Sequence, residues 1–154
     1  MSRSNFGPRT AGPGDQRGPV IQCLFDPAKP EQELYDTLAE QQAVALSVNS
    51  SQLRRFFGEI KDLYRRYNAL TAQSADDGAR ADVYRRDIEP LFKMIRSKVS
   101  YATRAGGQSK LDVAFADFLS QGIAKVQSHD QFRKYVMHLE AVVGFMYGKG
   151  KVSR

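Results

Sequence analysis

From residue 31 onward, apolar side chains recur at helical spacing, and no segment keeps the two-residue alternation of a half-buried strand. Start and stop signals divide this part of the chain into five predicted helices, at residues 31–46, 49–72, 79–104, 109–126 and 128–147. Because the connections between them are short, consecutive helices must pack against one another. The pattern predicts an all-α, single-domain bundle of about five helices over residues 31–148.

Several helix boundaries carry residues with a clear physical role. Polar side chains that can accept hydrogen bonds from a first helical turn are Asn49 (with Gln52 three residues on), Ser109 with Asp112, and Ser128 with Gln131. Pro90 lies inside the third helix and lacks a backbone donor, so we expect one long helix with a kink or two stacked pieces there. Gly148 is expected to end the fifth helix.

The two ends of the chain differ from the bundle. Residues 1–30 are rich in Gly and Pro and poor in large apolar side chains, which predicts a flexible N-terminal arm. Its one apolar stretch, residues 20–25, is expected to lie in an extended form on the domain. Residues 149–154 form a short basic tail for which we expect no specific role.

Composition narrows the class of protein further. With 23 basic and 17 acidic residues, the chain has a formal net charge of +6, which makes an anionic partner plausible. No apolar run reaches the roughly 20 residues of a membrane span, and residues 1–29 lack the apolar stretch of a secretory signal. We therefore expect a cytoplasmic protein without a membrane partner. Cys23 is the only cysteine, which excludes an internal disulfide and a multi-cysteine zinc site.

The positive charge is concentrated in the middle of the chain. Residues 31–48 contain four acidic residues and no basic ones, whereas residues 49–104 contain twelve basic and seven acidic residues. Nine of those twelve bases are arginines, whose planar guanidinium group matches phosphate oxygens. Tyrosines, whose rings can stack on exposed bases, are interspersed among them.

Helical spacing arranges these bases into rows. On the second helix, Arg54, Lys61 and Arg65 share one flank beside the apolar face, and the row from Arg54 to Arg65 spans roughly 16 Å. The third helix places further bases beside its own apolar stripe. The candidate nucleic-acid-binding residues are Arg54, Arg55, Lys61, Arg65, Arg96, Lys98 and Arg104. The alternative is that these side chains only keep an amphipathic surface soluble.

The sequence gives little support for a catalytic function. His129 and His138 lie nine residues apart on one helix, which puts them on opposite faces and excludes a two-histidine metal pair. We interpret His129 as a residue that caps the helix start and His138 as an exposed or partly buried polar residue. The paired acidic residues have ordinary interpretations as helix caps and ion-pair partners. We therefore expect no enzyme, no metal site and no cofactor.

Three strings in series carry a resemblance to a known family. They are SSQLRRFF at residues 50–57, KVSYATR at residues 98–104 and FRKYVMHLEAVVGF at residues 132–145. In order and spacing they resemble the small subunit of the type III-A (Csm) CRISPR effector complex. Its basic positions match Arg54, Arg55, Lys98 and Arg104 here, whereas Lys61, Arg65 and Arg96 come from the helical spacing alone.

The resemblance implies a non-catalytic, α-helical subunit in antiviral defence that stacks in several copies along the guide RNA and its paired target RNA. Its partners would be these RNAs, further copies of itself and the other Csm subunits. Our first hypothesis is that the basic residues contact the target backbone without reading bases. The second is a purely structural helical adaptor without direct RNA contact. A DNA-binding module ranks last because no helix carries a clear set of base-reading side chains.

Overall fold

The computed structural model describes residues 21–104 and 110–154. The elements are α1 (Glu31–Leu34), α2 (Thr37–Val44), β1 (Val48–Asn49), α3 (Ser50–Thr71), α4 (Asp77–Val83), a π-helical turn (Tyr84–Ile88), α5 (Glu89–Ala102), α6 (Val113–Lys125), α7 (His129–Gly148) and β2 (Val152–Ser153). The predicted all-α bundle is confirmed. The first predicted helix corresponds to α1 and α2 together, and the third corresponds to α4, the π-helical turn and α5.

The predicted caps form at three helix starts. The side chain of Asn49 accepts a hydrogen bond from the backbone N–H of Ser51, and that of Ser128 accepts one from Gln131. Asp112 caps α6 by accepting from the N–H of Phe115, whereas Ser109 lies outside the described residues. These bonds satisfy donors that a helix leaves unpaired in its first turn, and they fix where each helix begins.

Three predicted helices differ in detail from the structure. The fourth begins at Val113 rather than at residue 109, because residues 110–112 are not helical and Asp112 is the N-cap. The first is broken between Leu34 and Thr37, because Asp36 has a non-helical backbone conformation. The third runs from α4 into α5 through the π-helical turn, which ends two residues before Pro90. The proline has no N–H to donate and its ring crowds the preceding turn, so the wider π turn relieves that crowding.

The helical units run in alternating directions, so the bundle has two ends. The start of α3, the end of α5, the start of α6 and the end of α7 share one end, where β1 and β2 pair in parallel, with Val48 opposite Val152. We call this the strand end. At the opposite end, His129 at the start of α7 contacts Asp77 at the start of α4. The two-residue strands were not predicted, since strands this short carry no alternation.

Aromatic rings fill the centre of the core. Phe132 on α7 lies within ring-contact distance of Tyr84 and Phe92, with centroids 5.3 and 4.9 Å away. Cys23 and Phe25 are also buried, and Phe25 meets the Tyr135 ring edge-on at 5.3 Å. The predicted packing of the apolar stretch against the domain is therefore confirmed for these two residues. The rest of the predicted arm, residues 1–20, lies outside the described residues.

Candidate RNA-contact surface

The seven predicted RNA-binding residues all lie on α3 and α5 or directly after α5, outside the core. Six of them are exposed and Lys61 is half-buried, while Leu53, Phe56 and Ile60 turn the opposite side of α3 into the core. This placement follows from the apolar spacing of the two helices, which leaves the basic positions on their outer sides. The seven residues do not form one continuous row, because those on α3 are divided between two flanks.

One flank of α3 borders α7. Lys61 Nζ lies 3.2 Å from a carboxylate oxygen of Glu140 on α7, and Arg65 pairs with Asp62 one turn earlier at 2.7 Å. Arg54 lies on the same flank by helical spacing, two turns before Lys61, and makes no ion pair with any described residue. The predicted row of Arg54, Lys61 and Arg65 is therefore present, but only Arg54 has no carboxylate partner within the described residues.

The other flank borders α5. Lys98 on α5 forms an ion pair with Glu59, and Arg55 lies one turn before Glu59 on α3. Arg96 points away from this flank, since its Nε donates to the hydroxyl of Ser120 on α6 at 3.1 Å. Lys98 and Lys61 thus tie α3 to its two neighbours. Exposed pairs of this kind contribute about 0–1 kcal/mol, so either lysine can exchange its partner at low cost.

Three arginines at or near the strand end have no ion-pair partner among the described residues: Arg54, Arg55 and Arg104. Two of them lie over aromatic rings. The guanidinium carbon of Arg55 is 4.9 Å from the centre of the Phe56 ring, and that of Arg104 is 3.8 Å from the centre of the Tyr101 ring. Stacking holds a guanidinium group in place while leaving its N–H edges available for an anion.

Sequence reasoning missed further basic residues at the strand end. Lys110, Lys151 and Arg154 make no ion pair with a described residue. Lys151 and Lys110 line the same cleft of about 680 Å³, beside β1 and the starts of α3 and α6. The tail was expected to have no specific role, yet it carries β2 and takes part in the fold. The signal in the sequence was Gly150, three residues after the predicted helix end at residue 147.

Gly150 explains how the tail is directed. Its φ of +68° is left-handed, and its N–H donates to Tyr147 O while the N–H of Lys151 donates to Met146 O at 2.8 Å. This pair of bonds is a Schellman motif, which ends α7 and turns the chain sharply. α7 ends at Gly148 as expected, and the left-handed residue that turns the chain is Gly150, two positions later. The turn places Lys151 beside β1, where its carbonyl accepts from the N–H of Val48.

At the opposite end, several basic residues are paired with nearby carboxylates. Arg133 contacts Glu31 at 2.9 Å and also Asp130, which in turn contacts Lys134. Hydrogen bonds from the Tyr35 hydroxyl and from Arg133 lower the pKa of the Glu31 carboxyl. Asp77 likewise contacts both Arg80 and His129. Of the described cations without a carboxylate partner, six lie at or near the strand end and five lie elsewhere. The first group is Arg54, Arg55, Arg104, Lys110, Lys151 and Arg154, and the second is Lys29, Arg66, Lys93, Arg96 and Lys125.

The side chains of His138 and Cys23, which could suggest catalysis, are buried in the fold. His138 is fully buried, so its interpretation as an exposed or partly buried residue was wrong; its Nδ1 lies 2.6 Å from Leu34 O, which ties α1 to α7. Burial raises the pKa of the Cys23 thiol, which keeps it protonated. In the described ranges, no cluster of three or more histidine, cysteine or acidic side chains could hold a metal ion.

Comparisons with known proteins identify the family of this chain. No helix within residues 21–104 and 110–154 combines the length and the apolar character needed to cross a bilayer. No curated protein and no solved structure matches the chain at a significant level. The family model described as Csm2 Type III-A matches residues 29–149, which include every candidate residue on α3 and α5. The chain therefore belongs to the Csm2 Type III-A family and is a small subunit of the type III-A CRISPR (Csm) complex.

Proposed function

We propose that this subunit is a non-catalytic RNA-binding component of the type III-A ribonucleoprotein. Several copies stack along the guide RNA–target RNA duplex, and their basic residues contact the target backbone. Family membership supports the placement in the complex, where the other Csm subunits are its partners. The observation that carries the RNA contact is the group of three arginines at or near the strand end, Arg54, Arg55 and Arg104, without a carboxylate partner in the described structure.

The seven candidate residues take different parts in this proposal. Arg54, Arg55 and Arg104 make the main phosphate contacts, since binding costs them no existing ion pair. Lys61, Arg65 and Lys98 would exchange a carboxylate for a phosphate, so their contribution is smaller. Arg96 is held by Ser120 and lies at the edge of the surface. An arginine bound to phosphate reads no bases, which suits a subunit that must accept any target sequence.

The experiment uses the assembled complex with Arg54→Gln, Arg55→Gln and Arg104→Gln combined in this subunit. The matched control combines Arg80→Gln, Arg85→Gln and Arg86→Gln, which removes the same charge from α4 and the π-helical turn, away from the strand end. RNA affinity is measured at several salt concentrations for two unrelated target sequences. We expect the test variant to bind both targets equally weakly and to lower the salt slope by about one for each phosphate that a copy no longer binds. Affinity and slope equal to those of the control would contradict the proposal.

A structural adaptor is the second candidate, and one observation favours it. Leu91, Met94 and Tyr101 are exposed on one face of α5, at a spacing that forms a stripe about 15 Å long. Exposed apolar stripes often mark protein contacts. If the subunit acts only as an adaptor, the arginine variant will either fail to co-purify with the other Csm subunits or assemble and leave RNA affinity unchanged. If it contacts RNA, the variant will assemble and bind RNA weakly.

A further inference from the structure

The cleft at the strand end is separate from the arginines on α3 and α5. It has a volume of about 680 Å³ and opens between β1, β2 and the start of α6. Its polar lining includes Ser47, Asn49, Lys110, Lys151 and Ser153. Its size falls within the range of ligand-binding clefts.

The charge in the cleft is predominantly positive. Lys110 is exposed and Lys151 is half-buried, and neither ammonium group pairs with a carboxylate in the part of the chain that the structure describes. Asp112 is the one acidic residue among the described residues of the lining, and its carboxylate caps α6 by accepting from Phe115 N–H at 3.2 Å. Two lysines and one engaged carboxylate leave a site suited to an anion.

The fold fixes the position of one of the two lysines. The Schellman motif at Gly150 turns the chain after α7, and the Val48 N–H bond to Lys151 O, at 3.1 Å, holds the Lys151 backbone against β1. The next residue, Val152, is paired with Val48 in the sheet. The backbone of Lys151 is therefore held in place beside the cleft before any ligand binds. Binding an anion there loses less conformational entropy than it would with a flexible tail.

From these observations we infer that the cleft binds a phosphodiester group of the RNA backbone through Lys110 and Lys151. The hydroxyls of Ser47 and Ser153 are further hydrogen-bond donors in the same lining. The inference rests on the proposed function and extends the contact surface beyond α3 and α5, around the strand end. Arg54 lies in the second turn of α3, and the cleft lies at the start of the same helix. One RNA strand can therefore contact Arg54 and then the cleft.

The test combines Lys110→Gln and Lys151→Gln in the full chain within the assembled complex. The matched control is Lys29→Gln with Lys134→Gln, which removes two lysines near the opposite end of the bundle. RNA affinity is measured as a function of salt concentration, and thermal unfolding checks that both variants fold. We expect the cleft variant to lower the salt slope by about one for each phosphate that a copy no longer binds, and the control to leave it unchanged.

The outcomes separate this inference from the proposed function. Weaker RNA binding by both the arginine variant and the cleft variant supports both. If the arginine variant loses affinity while the cleft variant matches its control, the cleft inference is overturned and the proposed function stands. If only the cleft variant loses affinity, RNA contact through the cleft stands and the role of the three arginines is overturned.

A second variant tests the fixed position of Lys151 without changing charge. Gly150→Ala places a side chain at a φ of +68°, which disfavours the turn that directs the tail into the cleft. We expect RNA affinity to fall in the same direction as for the double lysine variant, with the net charge preserved. Gly148→Ala is the matched control, because Gly148 lies within α7 and a Cβ there meets no atom within 4 Å. Equal RNA affinity for the two glycine variants would contradict the positioning argument.

Discussion

The guanidinium carbon of Arg104 lies 3.8 Å from the centre of the Tyr101 ring, at the C-terminal end of α5. Both side chains are exposed, and Tyr101 is the most exposed of the large apolar and aromatic residues in the described structure, at 63%. Such exposure is unfavourable for a ring with no further role. At this distance the ring can hold the cation in place while the N–H groups of Arg104 stay available to an anion.

This stack predicts that Tyr101 acts on RNA binding through Arg104. Tyr101→Phe keeps the aromatic face and should bind RNA like the wild type, whereas Tyr101→Leu removes it. An exposed cation–π contact is worth about 0.5–1 kcal/mol, so we expect Tyr101→Leu to lower RNA affinity by about two- to five-fold per copy. RNA titration of the assembled complex measures the difference. Equal affinities for the leucine and phenylalanine variants would show that the stack has no such role.

His138 predicts a dependence of stability on pH. Its Nδ1 contacts the carbonyl of Leu34, which can only accept, so Nδ1 carries the proton of the neutral ring. Burial lowers the pKa of His138 from its usual 6.5 in the folded protein. Below pH 6.5 the unfolded chain therefore binds more protons than the folded one. The free energy of unfolding should fall as the pH decreases from about 7 to about 5.5, with a slope of at most about 1.4 kcal/mol per pH unit from this group.

Denaturant unfolding at several pH values measures that slope. In His138→Gln the titrating group is absent, and we expect the dependence between about pH 7 and about pH 5.5 to be largely abolished even though the variant is less stable overall. His129→Gln is the comparison, because it removes the other histidine, which lies at the start of α7 near Asp77. A slope that persists in His138→Gln would assign the dependence to other groups.

Two glycines in helices should respond oppositely to the same substitution. A Cβ on Gly122 of α6 would lie 2.5 Å from a ring carbon of Tyr135, which is fully buried on α7. Gly122→Ala should therefore destabilise the protein by about 1–3 kcal/mol through overpacking. A Cβ on Gly144 meets nothing within 4 Å, so Gly144→Ala should stabilise α7 by about 0.5–1 kcal/mol.

Thermal or denaturant unfolding of the two alanine variants checks this pair directly. The substitution is identical, so effects of alanine on the unfolded chain are similar and the difference reports the local packing. Stabilisation by Gly122→Ala, or no difference between the two variants, would contradict the close approach of α6 to α7 that the structure shows.

The sequence was sufficient for the fold because local signals decide it. The caps at Asn49 and Ser128 and the apolar spacing of α3 and α5 act within a few residues and form as predicted, whereas α6 starts after an Asp112 cap, later than the predicted start at residue 109. The β1–β2 pair was not predictable, since Val48 and Val152 are distant in the chain and each strand has two residues. The position of Lys151 depends on that pairing.

The candidate site was predictable only in part, for a related reason. Helical spacing places Arg54, Lys61 and Arg65 on one flank, but it does not show which of them will meet a carboxylate. The partner of Lys61 is Glu140, from a helix much later in the chain. Only the tertiary structure separates such paired cations from Arg54, which has no carboxylate partner among the described residues.

RNA crosslinking with peptide mapping on the assembled complex, bound to guide and target RNA, tests the central claim most directly. The account predicts crosslinked peptides from this subunit that contain residues 54–55 and residues 101–104, with Tyr101 as a reactive aromatic residue. It predicts no crosslinks to the start of α7 around His129, at the opposite end of the bundle. Crosslinks confined to that opposite end, or a bound complex with none in this subunit, would contradict RNA contact through the strand end.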